Sequence, residues 1–179
     1  MINLKRHSKV VSIVLAMVMV FATAAVSFAA ETEQTEPVTK NYNVKIYKKG
    51  TQTPSMANAI IAPGTFATAT TNQDGSVKVE IPIIPIYNYT AMGMFTADGY
   101  LTSITMKDDE NQSGNISPVA NSGIPYTSAV MTIKAKSMPT DLKFEVSKSI
   151  VKLFKPGTDK PYWLMKHVKP SFDIVLTEM

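Results

Sequence analysis

Alternating apolar and polar residues around one turn constrain the fold of this chain more than any other feature. In the run 76–84, SVKVEIPII, the apolar residues at 77, 79, 81 and 83 alternate with mostly polar ones, which is the period of a strand with one buried face. A second extended run, residues 66–71, precedes it. Asp74-Gly75 between the two runs supplies the positive backbone dihedrals of a tight hairpin turn. The stretch therefore predicts a β-hairpin with one face in a hydrophobic core.

Further short extended runs, bounded by Gly, Pro, Asn and Asp, recur along the chain without a convincing amphipathic helix. They are predicted at residues 42–49, 100–106, 128–136, 142–154 and 171–176. The polar residues 107–123 are predicted to form one long inter-strand loop. We therefore predict an all-β, immunoglobulin-like β-sandwich of about seven to eight strands with one short helical turn.

A secretory signal peptide is predicted over residues 1–29. Basic residues near the start precede an apolar run at 10–20, and Ser27-Phe28-Ala29 fits the small-x-small cleavage rule. A retained membrane anchor is the alternative interpretation. Cleavage would release a secreted protein, either free or held at the cell surface by a partner.

Two further segments follow the predicted cleavage site. Residues 30–40 are polar and acidic, which is typical of a disordered leader, and residues 41–179 suit one folded domain. No second apolar run is long enough for a transmembrane helix, so we expect no membrane span after cleavage.

Residue usage narrows the classes of partner and reaction. After cleavage the chain would keep 15 basic residues, all lysine, against 14 acidic ones, and arginine would be absent. Arginine makes the forked contacts with phosphates and guanines, so we do not expect nucleic acid as a partner. The chain has no cysteine, which excludes zinc sites built on thiolates.

Catalytic motifs are also missing from the sequence. His167 would be the only histidine after cleavage, and neither a Gly-x-Ser-x-Gly elbow nor a phosphate-binding loop occurs. We therefore expect a protein that is not an enzyme; a carboxylate-based glycosidase is the remaining enzymatic alternative. The acidic run 108–111 is either a calcium-binding loop or a solvated polar loop.

Three stretches resemble the near-iron-transporter (NEAT) family, haem-handling domains exported by Gram-positive bacteria. They are the turn and hairpin 54–83, PSMANAIIAPGTFATATTNQDGSVKVEIPI, then GYLTSITM at 99–106, and VMTIKAKSMPTDLKFEV at 130–146. The resemblance implies an immunoglobulin-like sandwich that binds haem between a short helical turn and a hairpin near the C-terminus. It also implies a role in iron acquisition, with haem or haemoproteins, or another surface protein, as partners.

The same resemblance implies which residues would bind the cofactor. Ser55, Met56 and Ile60 would form the helical turn, and Met56 would cover one haem face or coordinate the iron, because a thioether can be an axial haem ligand. The alternative for Met56 is core packing.

The C-terminal hairpin departs from the family pattern. The usual Tyr-x-x-x-Tyr is absent, because Lys166 stands four residues after Tyr162. Tyr162, Met165 and His167 lie in the corresponding region and are the candidate substitutes, Met165 and His167 as iron ligands beside Met56. Packing for Met165 and a surface position for His167 are the alternatives. Without haem, the domain would be an adhesion or protein-interaction module.

Aromatic residues elsewhere offer two more candidate contacts. Tyr87 and Tyr89 are two residues apart, so we expect both side chains on the same side of a strand, as a stacking platform or as packing. Trp163 is either an exposed interaction anchor or a core residue.

Overall fold

The structure is a computed structural model that describes residues 36–179, except 92, 94, 122 and 164. The predicted signal peptide, most of the predicted leader, and Met92 and Met94 of the Met-rich run therefore lie outside the described residues. Within these bounds the chain forms ten strands and two short 3₁₀ helices, Met56–Ile60 and Val119–Asn121. The strands are β1 (Val38–Lys48), β2 (Phe66–Thr71), β3 (Val77–Ile83), β4 (Ile86–Ala91), β5 (Phe95–Met106), β6 (Gln112–Pro118), β7 (Ala129–Ala135), β8 (Lys143–Phe154), β9 (His167–Val168) and β10 (Phe172–Glu178).

All the strand pairs are antiparallel and form one curled sheet. Its order is β4-β5-β8-β10-β1-β2-β3-β7-β6, with β9 paired to β8 beside this path. The two ends of β1 have different partners: Tyr42–Lys48 pair with β10, whereas Val38–Asn43 pair with β2. The sheet therefore divides at β1 into two layers, which pack face to face as an immunoglobulin-like sandwich.

The hydrophobic core lies between the two layers. In β3 the apolar residues Val77, Val79, Ile81 and Ile83 are buried, and the intervening side chains are more exposed. From the other layer, Phe144 of β8 and Phe172 and Ile174 of β10 are fully buried. The alternation in the sequence thus corresponds to the inward and outward faces of the strands, and the predicted fold class is confirmed.

Two predicted segment assignments were wrong. β1 begins at Val38, so residues 38–40, assigned above to the leader, pair with β2. Residues 107–123, predicted to be one loop, contain all of β6. β6 escaped prediction because it is a polar edge strand, QSGNISP, without a buried apolar face.

Glycine in β6 lets this strand approach β5 closely. A Cβ atom placed on Gly114 would lie 2.5 Å from side-chain carbons of Ile104 in β5. Only a residue without a side chain fits at this distance, so Gly114 sets how closely the two layers meet at this end of the sandwich.

Residues 36–179 form a compact unit on their own. No helix among the described residues is long and apolar enough to cross a membrane.

Replacing Gly114 with alanine should destabilise the domain by about 1–3 kcal/mol, because the added methyl group must displace Ile104. Gly123→Ala is the matched control, since nothing lies within 4 Å of its Cβ position. Chemical denaturation of residues 36–179 measures both free energies of unfolding. Equal stability of the two variants would contradict the close packing of β6 on β5.

Candidate functional site

A cavity of about 530 Å³ lies between the Met56–Ile60 helix and the adjoining part of the sheet formed by β4, β5, β8 and β9. Ser55, Met56, Ala57 and Ile60 line it on the helix side. Most of its surface is apolar, and it is open to solvent on one side. We refer to it below as the apolar cavity.

The Met56–Ile60 helix is held by the free edge of β1. At Ile46 the strand has left β2 and still pairs with β10, so its other edge needs hydrogen-bond partners. The Ile46 N–H donates to the Asn58 side-chain oxygen at 2.9 Å, and the Ser55 N–H donates to the Ile46 carbonyl at 2.9 Å. Both backbone groups of one core residue are therefore used to position the helix.

The helix has its own cap and a second attachment. The Ser55 hydroxyl accepts a hydrogen bond from the Ala57 N–H at 3.2 Å, which satisfies a free donor of the first turn. The Ile84 N–H, after β3, donates to the Ile60 carbonyl at 2.8 Å. Ala57 and Ile60 are buried, whereas Met56 is 57% exposed, so the helix presents a thioether at the cavity opening.

Residues from four neighbouring strands form the floor of the cavity. Gly99 and Leu101 come from β5, opposite Ile86 of β4 and Val151 of β8, and Val168 of β9 continues the row. Gly99 leaves the centre of this surface without a side chain. A Cβ there would lie 3.3 Å from a Val151 methyl carbon, so the position is tightly packed. The result is a broad, mostly apolar surface facing the helix.

A β-bulge brings a tyrosine into the cavity wall. The β4–β5 register shifts between Ile86 and Tyr89, and Asn88 takes a positive φ of 52°. Ile86 and Tyr89 consequently both line the cavity, whereas Tyr87 is 57% exposed and does not line it. The expectation that Tyr87 and Tyr89 share a side was wrong, because the bulge changes the phase of the strand.

A buried carboxylate supports this bulge. Asp98 in β5 is only 3% exposed, and its two oxygens accept hydrogen bonds from the Asn88 N–H at 3.1 Å and the Gly157 N–H at 2.8 Å. Asp98 therefore joins β4 to the turn that follows β8.

The opposite face of β5 is packed with aromatic rings. Tyr100 makes edge-on contacts with Tyr126 and Phe154, and the Tyr126 hydroxyl donates to the Leu101 carbonyl at 3.1 Å. Burial raises the pKa of Tyr126 to about 12, so this donor stays protonated at neutral pH. The backbone beneath the cavity floor is thus rigidly supported.

Cationic and sulfur-bearing side chains stand at the edge of the cavity. Lys48, at the end of β1, and Lys169, after β9, both line it and are exposed. Met165 lines it from the segment before β9 and is half-buried. The cavity therefore combines an apolar interior with two positive charges and two thioethers, from Met56 and Met165.

The structure brings together four of the six residues proposed from the sequence. Ser55, Met56, Ile60 and Met165 line the apolar cavity.

Tyr162 and His167 lie elsewhere. The Tyr162 ring stacks on Phe95 with centroids 4.5 Å apart. His167 is exposed and pairs with Lys152 across β9 and β8, while the next residue, Val168, faces the cavity. The correction follows from strand geometry, because successive residues of β9 point to opposite faces.

Sequence reasoning missed most of the cavity floor. Leu101, Val151 and Phe172 were predicted only as strand residues, and nothing local distinguishes them from other core positions. Tyr89 had been noted as a possible platform but not as part of the site. Lys48 and Lys169 gave no signal, since lysines are frequent along this chain.

A carboxylate-based metal site finds no support in the described part of the chain, where no three His, Cys, Asp or Glu side chains cluster suitably. In the run 108–111, both oxygens of Asp108 accept hydrogen bonds from the Asn111 side-chain amide, at 2.9 and 2.8 Å. These bonds close the tight turn between β5 and β6.

Of the comparisons with known proteins, only the search of solved structures finds similar chains. No protein-family model matches the chain, and no curated protein does. Among solved structures, the chain is similar to the NEAT5 domain of IsdX2, a B. anthracis hemophore in complex with heme, with a TM-score of 0.47 and 14% sequence identity. The match covers 80% of this chain and 98% of that domain.

Removing the buried Asp98 carboxylate should destabilise the domain by about 2–3 kcal/mol, because two backbone N–H groups lose a charged acceptor. Asp98→Asn should cost less, since its amide oxygen can still accept one of the two bonds. Asp159→Ala, at an exposed position, is the control. Equal free energies of unfolding for Asp98→Ala and the control would contradict the proposed support of the bulge.

Proposed function

We propose that the domain is a secreted, non-enzymatic module that binds haem or a related porphyrin in the apolar cavity and serves iron acquisition. The observation that carries this proposal is the open apolar cavity between the Met56–Ile60 helix and a four-strand floor. Solid packing beneath Met56 would have left no room for a planar guest.

The dimensions of the cavity suit a flat macrocycle. Its volume of about 530 Å³ lies within the range of small-molecule sites. Four adjacent strands spaced by about 4.8 Å span about 14 Å, so the floor is wide as well as apolar. The helix stands opposite this floor, so a planar guest would lie between the two.

The charges at the edge of the cavity suit the carboxylates of a porphyrin. Lys48 and Lys169 are exposed and line the opening, where ammonium groups can pair with propionates that remain partly in water. Such a pair would orient the guest with its apolar edge inward, against Leu101 and Phe172.

Three side chains in the lining have atoms that can coordinate haem iron. They are the thioethers of Met56 and Met165 and the phenol of Tyr89. Their donor chemistry fits haem, whose iron accepts methionine and tyrosine as axial ligands. His167, proposed from the sequence as a ligand, lies on the other face of β9, and we do not assign it to this site.

The protein's own contribution would be binding and protection. Haem supplies an iron centre and an intense visible absorption; the cavity residues would hold the macrocycle, exclude water from its faces and orient its carboxylates.

Hemin added to residues 36–179 should give a saturable shift of the Soret band. Met56→Ala and Met165→Ala should each change the position of that band, and the variant that removes a ligand should lower hemin affinity about tenfold or more. Met179→Ala, at an exposed methionine outside the cavity, is the matched control.

Metal-free protoporphyrin separates iron coordination from binding to the cavity. Its affinity should be nearly insensitive to the methionine variants but weakened by Lys48→Gln combined with Lys169→Gln, and Lys134→Gln combined with Lys136→Gln should have no effect. A flat titration with both porphyrins would contradict the proposal and would favour the protein-interaction alternative.

A further inference from the structure

Positive charge is concentrated in one short part of the domain. Residues 148–169 hold six lysines and one acidic residue, Asp159, whereas the rest of the described chain holds nine lysines and eleven acidic residues. Among the described residues, none of these six lysines forms an ion pair; the pairs involve Lys40, Lys78, Lys107 and Lys143 instead. The excess charge therefore remains available to an external partner.

Four of the basic side chains surround a single hollow of about 660 Å³. Lys152, Lys166, His167 and Lys169 line it, together with the acidic Asp159, and we call the four basic residues the basic face. The floor of the hollow is mostly apolar and includes Ile150 and Ile124, which are half-buried. The hollow lies across the β8–β9 pair from the apolar cavity, since Lys152 and His167 are paired on this side and Val151 and Val168 line the cavity.

The only tryptophan of the chain, Trp163, lies in the segment between two residues that line this hollow, Pro161 and Lys166. Trp163 is 76% exposed, the largest exposed fraction among the exposed large hydrophobic side chains described. Its segment is held at both ends next to β8, by the Phe154–Pro161 bridge and the Lys152–His167 pair, and Pro161 and His167 both line the hollow. An exposed indole has an apolar body and a polar N–H, which suits an interface that is apolar on one side and wet on the other.

We propose that the basic face, with Trp163, docks the domain on the surface of an anionic phospholipid bilayer. Lysines near such a surface are attracted to its phosphate groups, and indole rings favour the level of the headgroups. The lysines would lie over the phosphates, and Trp163 would enter the interface.

The apolar component favours a bilayer over a soluble anionic polymer. A soluble polyanion would pair with the lysines but would leave Trp163 and the apolar floor in water. A bilayer satisfies both, because its surface offers phosphates and its interface offers an apolar environment. Docking here would leave the opening beside Met56 separate from the docked residues, with Lys169 shared by the two linings.

Trp163 is its own reporter for the test. Residues 36–179 are mixed with vesicles of phosphatidylcholine alone or of phosphatidylcholine with phosphatidylglycerol, and both Trp fluorescence and sedimentation are measured. We expect a blue shift and co-sedimentation only with phosphatidylglycerol, both weakened by added salt. Trp163→Ser should weaken sedimentation without removing its dependence on salt.

Charge variants assign the effect to the basic face. Lys152→Gln combined with Lys166→Gln should weaken partitioning about tenfold or more. Lys134→Gln combined with Lys136→Gln removes the same charge from exposed positions of β7 and its end and should change partitioning less than about twofold. Hemin binding is measured in parallel, and since Lys152 and Lys166 lie outside the apolar cavity, the two proposals can fail independently.

Several results would overturn the proposal. They are equal binding to neutral and anionic vesicles, no binding to either kind of vesicle, and an equal loss of vesicle partitioning in the two double variants. Binding of soluble polyphosphate with no fluorescence shift on vesicles would show a polyanion site instead.

Discussion

The candidate site depends on how β1 uses its two edges. Over residues 44–48 one edge of β1 pairs with β10, while the pairing with β2 on the other edge stops at Asn43. A strand edge that is left bare in a core must find hydrogen-bond partners, and at Ile46 the Met56–Ile60 helix supplies them through Ser55 and Asn58. The same bonds that complete the strand hold the helix above the sheet. The apolar cavity is the space that this arrangement leaves open.

The β8–β9 pair gives the domain two different surfaces. Val151 and Val168 face the apolar cavity, and Lys152 and His167, one residue along each strand, face the opposite side. The alternation of side chains that builds a sandwich therefore also separates an apolar ligand site from a basic face. A shift of one residue in this short pairing would exchange the two surfaces, so the pairing itself determines both proposed roles.

The fold could be predicted from the sequence because its strongest signals are local. The 66–83 hairpin, its Asp74-Gly75 turn and the alternation in β7 each lie within a few residues of chain. β6 could not be predicted in the same way, since Gly114 and its polar neighbours act through the close approach to β5. The local sequence pattern identifies strands that have a buried apolar face, but it does not identify a polar strand at the edge of the sheet.

The candidate site was only partly predictable for the same reason. Ser55, Met56 and Ile60 lie on one local turn, which the resemblance to the NEAT family could locate. Met165 lies in the C-terminal region that the same resemblance indicates. Tyr89 enters the wall through a bulge that Asp98 stabilises from another strand, and His167 is turned away by a two-residue pairing with β8. Both effects depend on contacts between distant segments.

We propose above that a porphyrin occupies the space between the Met56–Ile60 helix and the β4-β5-β8-β9 floor. Methyl and backbone NMR of residues 36–179 with diamagnetic gallium protoporphyrin tests it most directly. We expect large ring-current shifts at Ile60, Leu101, Val151 and Val168, which line the cavity, and small ones at Val77 and Ile133, in the other layer. Shifts confined to other surfaces, or none at saturating porphyrin, would contradict it.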